Sequence, residues 1–168
     1  MKALFTGHRY ITSAWNREIN HLINLALECN VNEFFVGMAL GSDQVAAEIL
    51  TKRKLNWTAV VPCGDQAELW KPRQRSHYKR LLSAANRTVT LYPTYSPGVM
   101  QARNLWMVKR SQICLAVWSG NDSGGTALTV SMAKEHNLTI IQFNPLIPTN
   151  SKYRFFLHQP MYQQLSLF

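Results

Sequence analysis

Four short clusters of polar and glycine residues have the chemistry to hold an anion. Thr6-Gly7-His8-Arg9 pairs a glycine, which lets a backbone approach a ligand closely, with a guanidinium that can fork onto a phosphate or carboxylate. Gly37-Met38-Ala39-Leu40-Gly41-Ser42-Asp43 offers exposed amides at a helix start, where an anion is favoured, and Asp43 can accept from ribose hydroxyls. Gln101-Ala102-Arg103-Asn104 supplies a second guanidinium. Gly120-Asn121-Asp122-Ser123-Gly124-Gly125-Thr126 is another amide-rich cradle. Any one of these is ordinary turn chemistry with a helix cap. Four in one chain point to a single site for an anionic, nucleotide-like ligand. The ligand-binding set is therefore Thr6, Gly7, His8, Arg9, Gly37, Gly41, Ser42, Asp43, Arg103, Asn104, Gly124, Gly125 and Thr126.

The elements that must position these clusters follow from hydrophobic periodicity. Residues 3–6, 33–37, 57–62, 87–92, 113–118 and 139–143 are short apolar runs bounded by turn residues, and read as strands. Ile19, Leu22, Ile23, Ala26 and Leu27 share one face of a helix, and Val45, Ala46, Ile49 and Leu50 repeat the pattern. Further helices are expected within 66–85, 99–110 and 126–136. This alternation, with nearly continuous apolar strands, predicts a single-domain α/β fold: a Rossmann-like, doubly wound, mostly parallel sheet with helices on both faces. Ligands of such folds gather at the carboxyl ends of the strands, where all four clusters fall. After Asn144 the pattern fails, and Pro145 and Pro148 lead into an irregular tail. The expected division is a domain over 1–145 and a tail over 146–168.

The motifs TGHR, GMALGSDQVAAE, ARN and GGT, in that order, resemble the SLOG superfamily, which includes the DprA/SMF DNA-processing proteins and the LOG phosphoribohydrolases. The resemblance is nearest to the cpYpsA-related branch and spans residues 1–145. It implies a Rossmann-like nucleotide-binding domain with Gly7, Arg9, Gly41, Asp43, Arg103, Gly124, Gly125 and Thr126 in the pocket, a bound nucleotide-derived ligand and no required cofactor. A homodimer is a further expectation of that resemblance. LOG enzymes carry a Glu three residues after the GT threonine, and here that position is Thr129, which cannot ionise. Binding is therefore favoured over N-glycosidic cleavage. If the chain is an enzyme, Arg103, Asp43 and Asp122 are its catalytic candidates.

The last five residues, Gln164-Leu165-Ser166-Leu167-Phe168, resemble the pentapeptide by which bacterial polymerases and repair proteins dock on the β sliding clamp. Adjacent Leu167 and Phe168 provide apolar anchors and Gln164 supplies hydrogen bonds. The reading is a nucleotide-binding protein tethered to the clamp and acting in DNA replication or repair, with a phage origin one setting for it. Lys71, Arg73, Arg75, Lys79 and Arg80, interleaved with Trp70, His77 and Tyr78, are candidates for direct DNA contact. Two rival readings are a LOG-like nucleoside monophosphate phosphoribohydrolase and a DprA-like single-stranded DNA binder.

Composition supports a polyanionic partner. The 168 residues carry 18 Lys and Arg against 9 Asp and Glu, a formal charge of +9, while 46% are hydrophobic, enough for one core. No apolar run is long enough to cross a bilayer or to serve as a signal peptide, so a cytoplasmic protein without a membrane partner is expected. Cys29, Cys63 and Cys114 form no CxxC pair and read as reduced core thiols. His8, His21, His77, His136 and His158 share no metal-ligand spacing, so no metal site is expected.

Overall fold

The computed structural model describes residues 1–10, 15–148 and 155–160. Seven strands form one sheet, and the expected α/β sandwich is what they build. In chain order the elements are β1 (Lys2–Gly7), α1 (Asn16–Glu28), β2 (Glu33–Val36), α2 (Ser42–Lys52), β3 (Trp57–Cys63), α3 (Pro72–Ala84), β4 (Arg87–Tyr92), α4 (Val99–Val108), β5 (Ile113–Val117), α5 (Gly124–Glu135), β6 (Thr139–Phe143) and β7 (Phe155–His158). The sheet order is β4-β3-β2-β1-β5-β6-β7, parallel except for β7. The chain walks outward from β1 to β4, then returns to β5 on the other side of β1. Right-handed crossovers put the helices of the two walks on opposite faces. Accordingly α1, α2 and α3 bury Ile19, Leu22, Ala46, Leu50 and Tyr78 against Phe5, Phe34, Ala59 and Leu115. From the other face α4 and α5 bury Met107, Val108, Val130 and Ala133 against Leu4, Phe35, Val60 and Ala116. Adjacent strand residues alternate between the two cores, as the pleat requires.

Two expectations from sequence are refined. Within 66–85, read as a long helix or a helix pair, one helix forms and it fills only the later part. The chain runs through turns over 64–69, and α3 begins only at Pro72, whose fixed φ and missing N–H suit a first helical position. The region after Asn144 also contains β7, which pairs antiparallel with β6 in the register Ile141↔Leu157 and Phe143↔Phe155. Phe155 packs on Phe143 and His21, with ring centroids 5.4 and 4.6 Å away. Four residues carry too little periodicity to announce a strand. Here the open edge of β6 supplies the partner. The QLSLF segment at 164–168 lies outside the described residues.

Candidate functional site

Because the chain reverses direction between β4 and β5, the strands β1 and β5 diverge into oppositely placed helices, leaving a crevice at their carboxyl ends. A cavity of about 580 Å³ occupies that position. Its lining includes Thr6, Gly7, His8, Arg9, Asp43, Arg103, Asn104, Gly124, Gly125 and Thr126, ten of the thirteen ligand residues read from the sequence. Phe5, Tyr10, Ala39, Leu40, Gln66, Trp70, Met100, Met107, Asn121 and Ser123 also line it. Trp70 carried a signal, an aromatic in a polar segment, but the sequence groups it with the basic cluster and not with the strand ends.

The three remaining residues frame the site without lining it. Ser42 donates from both N–H (3.1 Å) and Oγ (2.9 Å) to the His8 carbonyl, pinning the β1 turn to the start of α2. Gly41 adopts φ +93°, and a Cβ there would overlap the Arg9 backbone. Gly37 gives up its side chain to Arg103: a Cβ at Gly37 would fall on the guanidinium. Asp122 is exposed and lines a neighbouring cavity, between the starts of α4 and α5, instead of this one.

Asp43 and Arg103 are buried together beneath the cavity, with side chains 8% and 7% exposed and Oδ2 4.0 Å from Nη1. Arg103 Nη1 also donates to the Gly37 carbonyl, and Asp43 Oδ2 accepts the Ala39 N–H at 3.1 Å. Burial pushes the Asp43 carboxyl up to about 6, against the pull of Arg103, the Ala39 amide and Arg9. Burial likewise draws the Arg103 guanidinium below its ordinary value, with Asp43 opposing. Arg103 is thus largely committed to the protein, although its Nε has no partner among the described residues. Arg9, by contrast, is exposed and lines the cavity, and it forms no ion pair with a carboxylate among the described residues.

His8 links β1 to the loop after β5. Its Nε2 accepts the Ser119 N–H at 3.1 Å, which fixes the neutral ring as the Nδ1–H tautomer. Partial burial lowers its pKa, favouring that neutral form. Asn121 knits the same loop, accepting from Trp118 Nε1 at 2.9 Å and donating to the Ser123 carbonyl at 2.9 Å. α5 then opens with Gly124 and Gly125, with no side-chain cap and no acid in its first turn. Its first residues, Gly124 to Thr126, line the cavity, and the uncapped helix start adds partial positive charge there. Thr129 is fully buried and donates to the Gly125 carbonyl at 2.7 Å, so its hydroxyl serves the helix. Among the described residues no group of three or more His, Cys, Asp or Glu could hold a metal ion. Nor is any helix among them long and apolar enough to cross a membrane.

Lys71, Arg73, Arg75, Lys79 and Arg80 lie on α3 or at its start and are all exposed. None of them lines the cavity. Their segment divides: Tyr78 turns inward and meets Trp70 edge-on at 5.3 Å, so the interleaved aromatics belong to the core and the cavity wall.

The YpsA model, described as the YspA SLOG family, matches residues 5–146. An SPbeta prophage-derived protein of Bacillus subtilis, YoqJ, is 30% identical over 112 residues, covering 56% of this chain and 66% of YoqJ, just under two thirds of that relative. The DNA processing protein A (DprA) of Streptococcus pneumoniae superposes with TM-score 0.69 at 18% identity, over 88% of this chain and 52% of that one. The Helicobacter pylori DprA, described for its single-stranded DNA binding mode, superposes with TM-score 0.67 at 15% identity, over 99% and 72%. At those identities the two structures establish a shared fold.

Proposed function

The chain belongs to the YspA SLOG family, and on that premise we propose that its strand-end cavity binds a nucleotide or nucleotide-derived ligand. The observation that carries the reading is the convergence of Arg9, Asp43, Asn104 and the uncapped start of α5 on one cavity at the β1/β5 reversal. A phosphate group fits the amides of Gly124, Gly125 and Thr126, with Arg9 balancing its charge. Asp43 uses Oδ2 within the protein and leaves Oδ1 for a sugar hydroxyl. The role of Arg103 is to hold Asp43 ionised and in place, not to meet the phosphate itself. Binding of nucleotides to wild type but not to Arg9→Glu, with unchanged melting, tests the pocket. Equal binding by both proteins would sink it.

The second element of the proposal is a tether. The terminal QLSLF supports docking on a bacterial β sliding clamp, which would place the nucleotide-binding domain at replicating or repaired DNA. Removing residues 164–168 should abolish co-migration with a purified clamp. Unchanged co-migration would refute the tether and leave the pocket untouched.

One observation favours a catalytic reading of the same cavity. A carboxyl near pKa 6, buried beside an arginine in a cleft, has the properties of a general acid or base. An N-glycosidase of this kind would release free base and ribose phosphate from a nucleoside monophosphate panel and lose the activity in Asp43→Asn. No release across the panel excludes it and confines the site to binding.

A further inference from the structure

The charge of this chain is concentrated in one part of the fold. Residues 69–121 contain nine Lys and Arg and no Asp or Glu, so they carry the whole formal +9 while the remaining nine bases cancel the nine acids. Six of these cations, Lys71, Arg73, Arg75, Lys79, Arg80 and Arg87, lie on α3, at its start or on β4. The helix sorts its own. His77 and Arg80 reach Glu48 of α2 at 3.5 and 3.3 Å, and Tyr78 and Leu81 face the core. At about 3.6 residues per turn, Arg75 and Lys79 therefore project from the flank away from α2. That flank overlooks β4, the edge strand to which α3 leads.

β4 is open beneath it. Thr88 pairs with Ala59, Thr90 with Val61 and Tyr92 with Cys63. Ala59 and Val61 belong to the core under α1–α3, so Thr88, Thr90 and Tyr92 share that face of the sheet. All three are nonetheless exposed. α3 sends Tyr78 and Leu81 into the core that holds Ala59 and Val61 of β3 but leaves the same face of β4 exposed, so beside it lies a trough with a cationic wall, a hydroxyl-lined floor and a strand edge unpaired among the described residues. At its end stand Tyr92 and Tyr95, 42% and 61% exposed. The Tyr95 N–H bonds Asp65 Oδ2 at 3.0 Å and fixes the loop that carries the ring. None of Arg75, Lys79, Thr88, Thr90, Tyr92 or Tyr95 lines the strand-end cavity.

We propose that this trough docks single-stranded DNA, with its phosphates on Arg75 and Lys79 and its bases on Tyr92 and Tyr95. Charge complementarity selects the occupant: the wall is cationic, and it lies in the longest stretch of the chain without Asp or Glu, nine bases between Glu68 and Asp122. Thr88 and Thr90 add hydroxyl donors for phosphate oxygens. Exposed tyrosine rings offer π-faces to unpaired bases, which a duplex keeps stacked. The choice of DNA over RNA rests on the clamp tether proposed above; the backbone and stacking contacts do not.

The test is fluorescence anisotropy of the full chain with labelled oligo-dT, titrated with salt. Wild type should bind at low salt and lose affinity steeply as salt rises. Arg75→Glu with Lys79→Glu should weaken binding at least about tenfold and make the log–log salt slope shallower by about 1.4, two contacts at about 0.7 each. Tyr92→Ala should cost about fivefold or more. Arg80→Ala, on the other flank, and deletion of 164–168 should stay within about twofold of wild type, which separates this surface from the tether. Arg75→Ala with Lys79→Ala serves if the glutamate pair alters melting. The proposal is overturned if oligo-dT does not bind at low salt, if the paired variants bind like wild type, if Arg80→Ala weakens binding as much as they do, or if oligo-U or duplex binds more tightly.

Discussion

Replacing Gly37 by alanine should act almost entirely through one side chain 66 residues away. A Cβ at Gly37 would overlap Arg103 Nη1 and Cζ, and its other near contact is Asp43 Oδ2 at 3.0 Å. The guanidinium must then leave the Gly37 carbonyl and retreat from Asp43. Losing a charge-assisted hydrogen bond costs about 1.5–3 kcal/mol, and weakening a buried pair adds to it, so a loss near 3 kcal/mol is expected for Gly37→Ala. Arg103→Ala removes the same partner outright and strands Asp43, which costs about 3–5 kcal/mol at pH 7. The double variant is the decisive one. Without the guanidinium the two severe overlaps disappear and Asp43 Oδ2 stands 3.0 Å from the new methyl, so the second substitution should add less than about 1 kcal/mol. Urea unfolding of all four proteins gives the coupling energy directly, expected near 2 kcal/mol. Additive losses would show that Gly37 is not there to make room for Arg103.

Protonation should move the same pair. With its pKa raised from 3.8 to about 6, Asp43 penalises folding when ionised, so its contribution is most favourable below pH 4 and is lost as pH rises through 6. Its effect reaches up to about 3 kcal/mol, and Asp43→Asn should flatten that limb of the stability–pH curve. A limb unchanged in Asp43→Asn would show that another group titrates there. His8 has the opposite slope: its lowered pKa makes its neutral form a source of stability above pH 6.5 that is lost on acidification. The His8 ring resonance, followed by NMR, should titrate below 6.5; a midpoint above it would refute the Ser119 hydrogen bond. Gly41→Ala forces φ +93° on a residue with a Cβ and pushes that Cβ onto the Arg9 backbone. It should cost at least about 1–3 kcal/mol by melting and weaken ligand binding through the displaced Arg9.

The parallel strands other than β4 are legible because strands buried on both faces must be nearly continuously apolar, as in Ala59-Val60-Val61 and Ile140-Ile141. β7 is not, because pairing with β6 makes it a strand, and no local pattern does. In the site, glycine is the ambiguous residue. Beside a strand end it announces close approach, but the approaching group is Arg103 at Gly37 and the Arg9 backbone at Gly41, while Gly125 faces open space. Sequence cannot separate these cases: Gly37, Gly41 and Ser42 read as ligand contacts, and in the structure their neighbours are Arg103, the Arg9 backbone and the His8 carbonyl. Arg103 reads as a phosphate ligand for the same reason, since its contacts with Gly37 and Asp43 are set by the packing of α4. The exposed face of β4 escapes notice because its alternation of Thr and apolar residues resembles a half-buried strand.

The account turns on the strand-end cavity being a nucleotide site, and Gly125 permits the most direct test. A Cβ there meets nothing within 4 Å, and the residue lines the cavity, so Gly125→Phe should fill the space without disturbing the fold. Calorimetric titration of wild type and Gly125→Phe with mono-, di- and dinucleotides should show one-to-one binding of at least one ligand to wild type. The filled variant should melt normally and bind none of them. Undiminished binding to Gly125→Phe, or no binding of any nucleotide to wild type, would contradict the account.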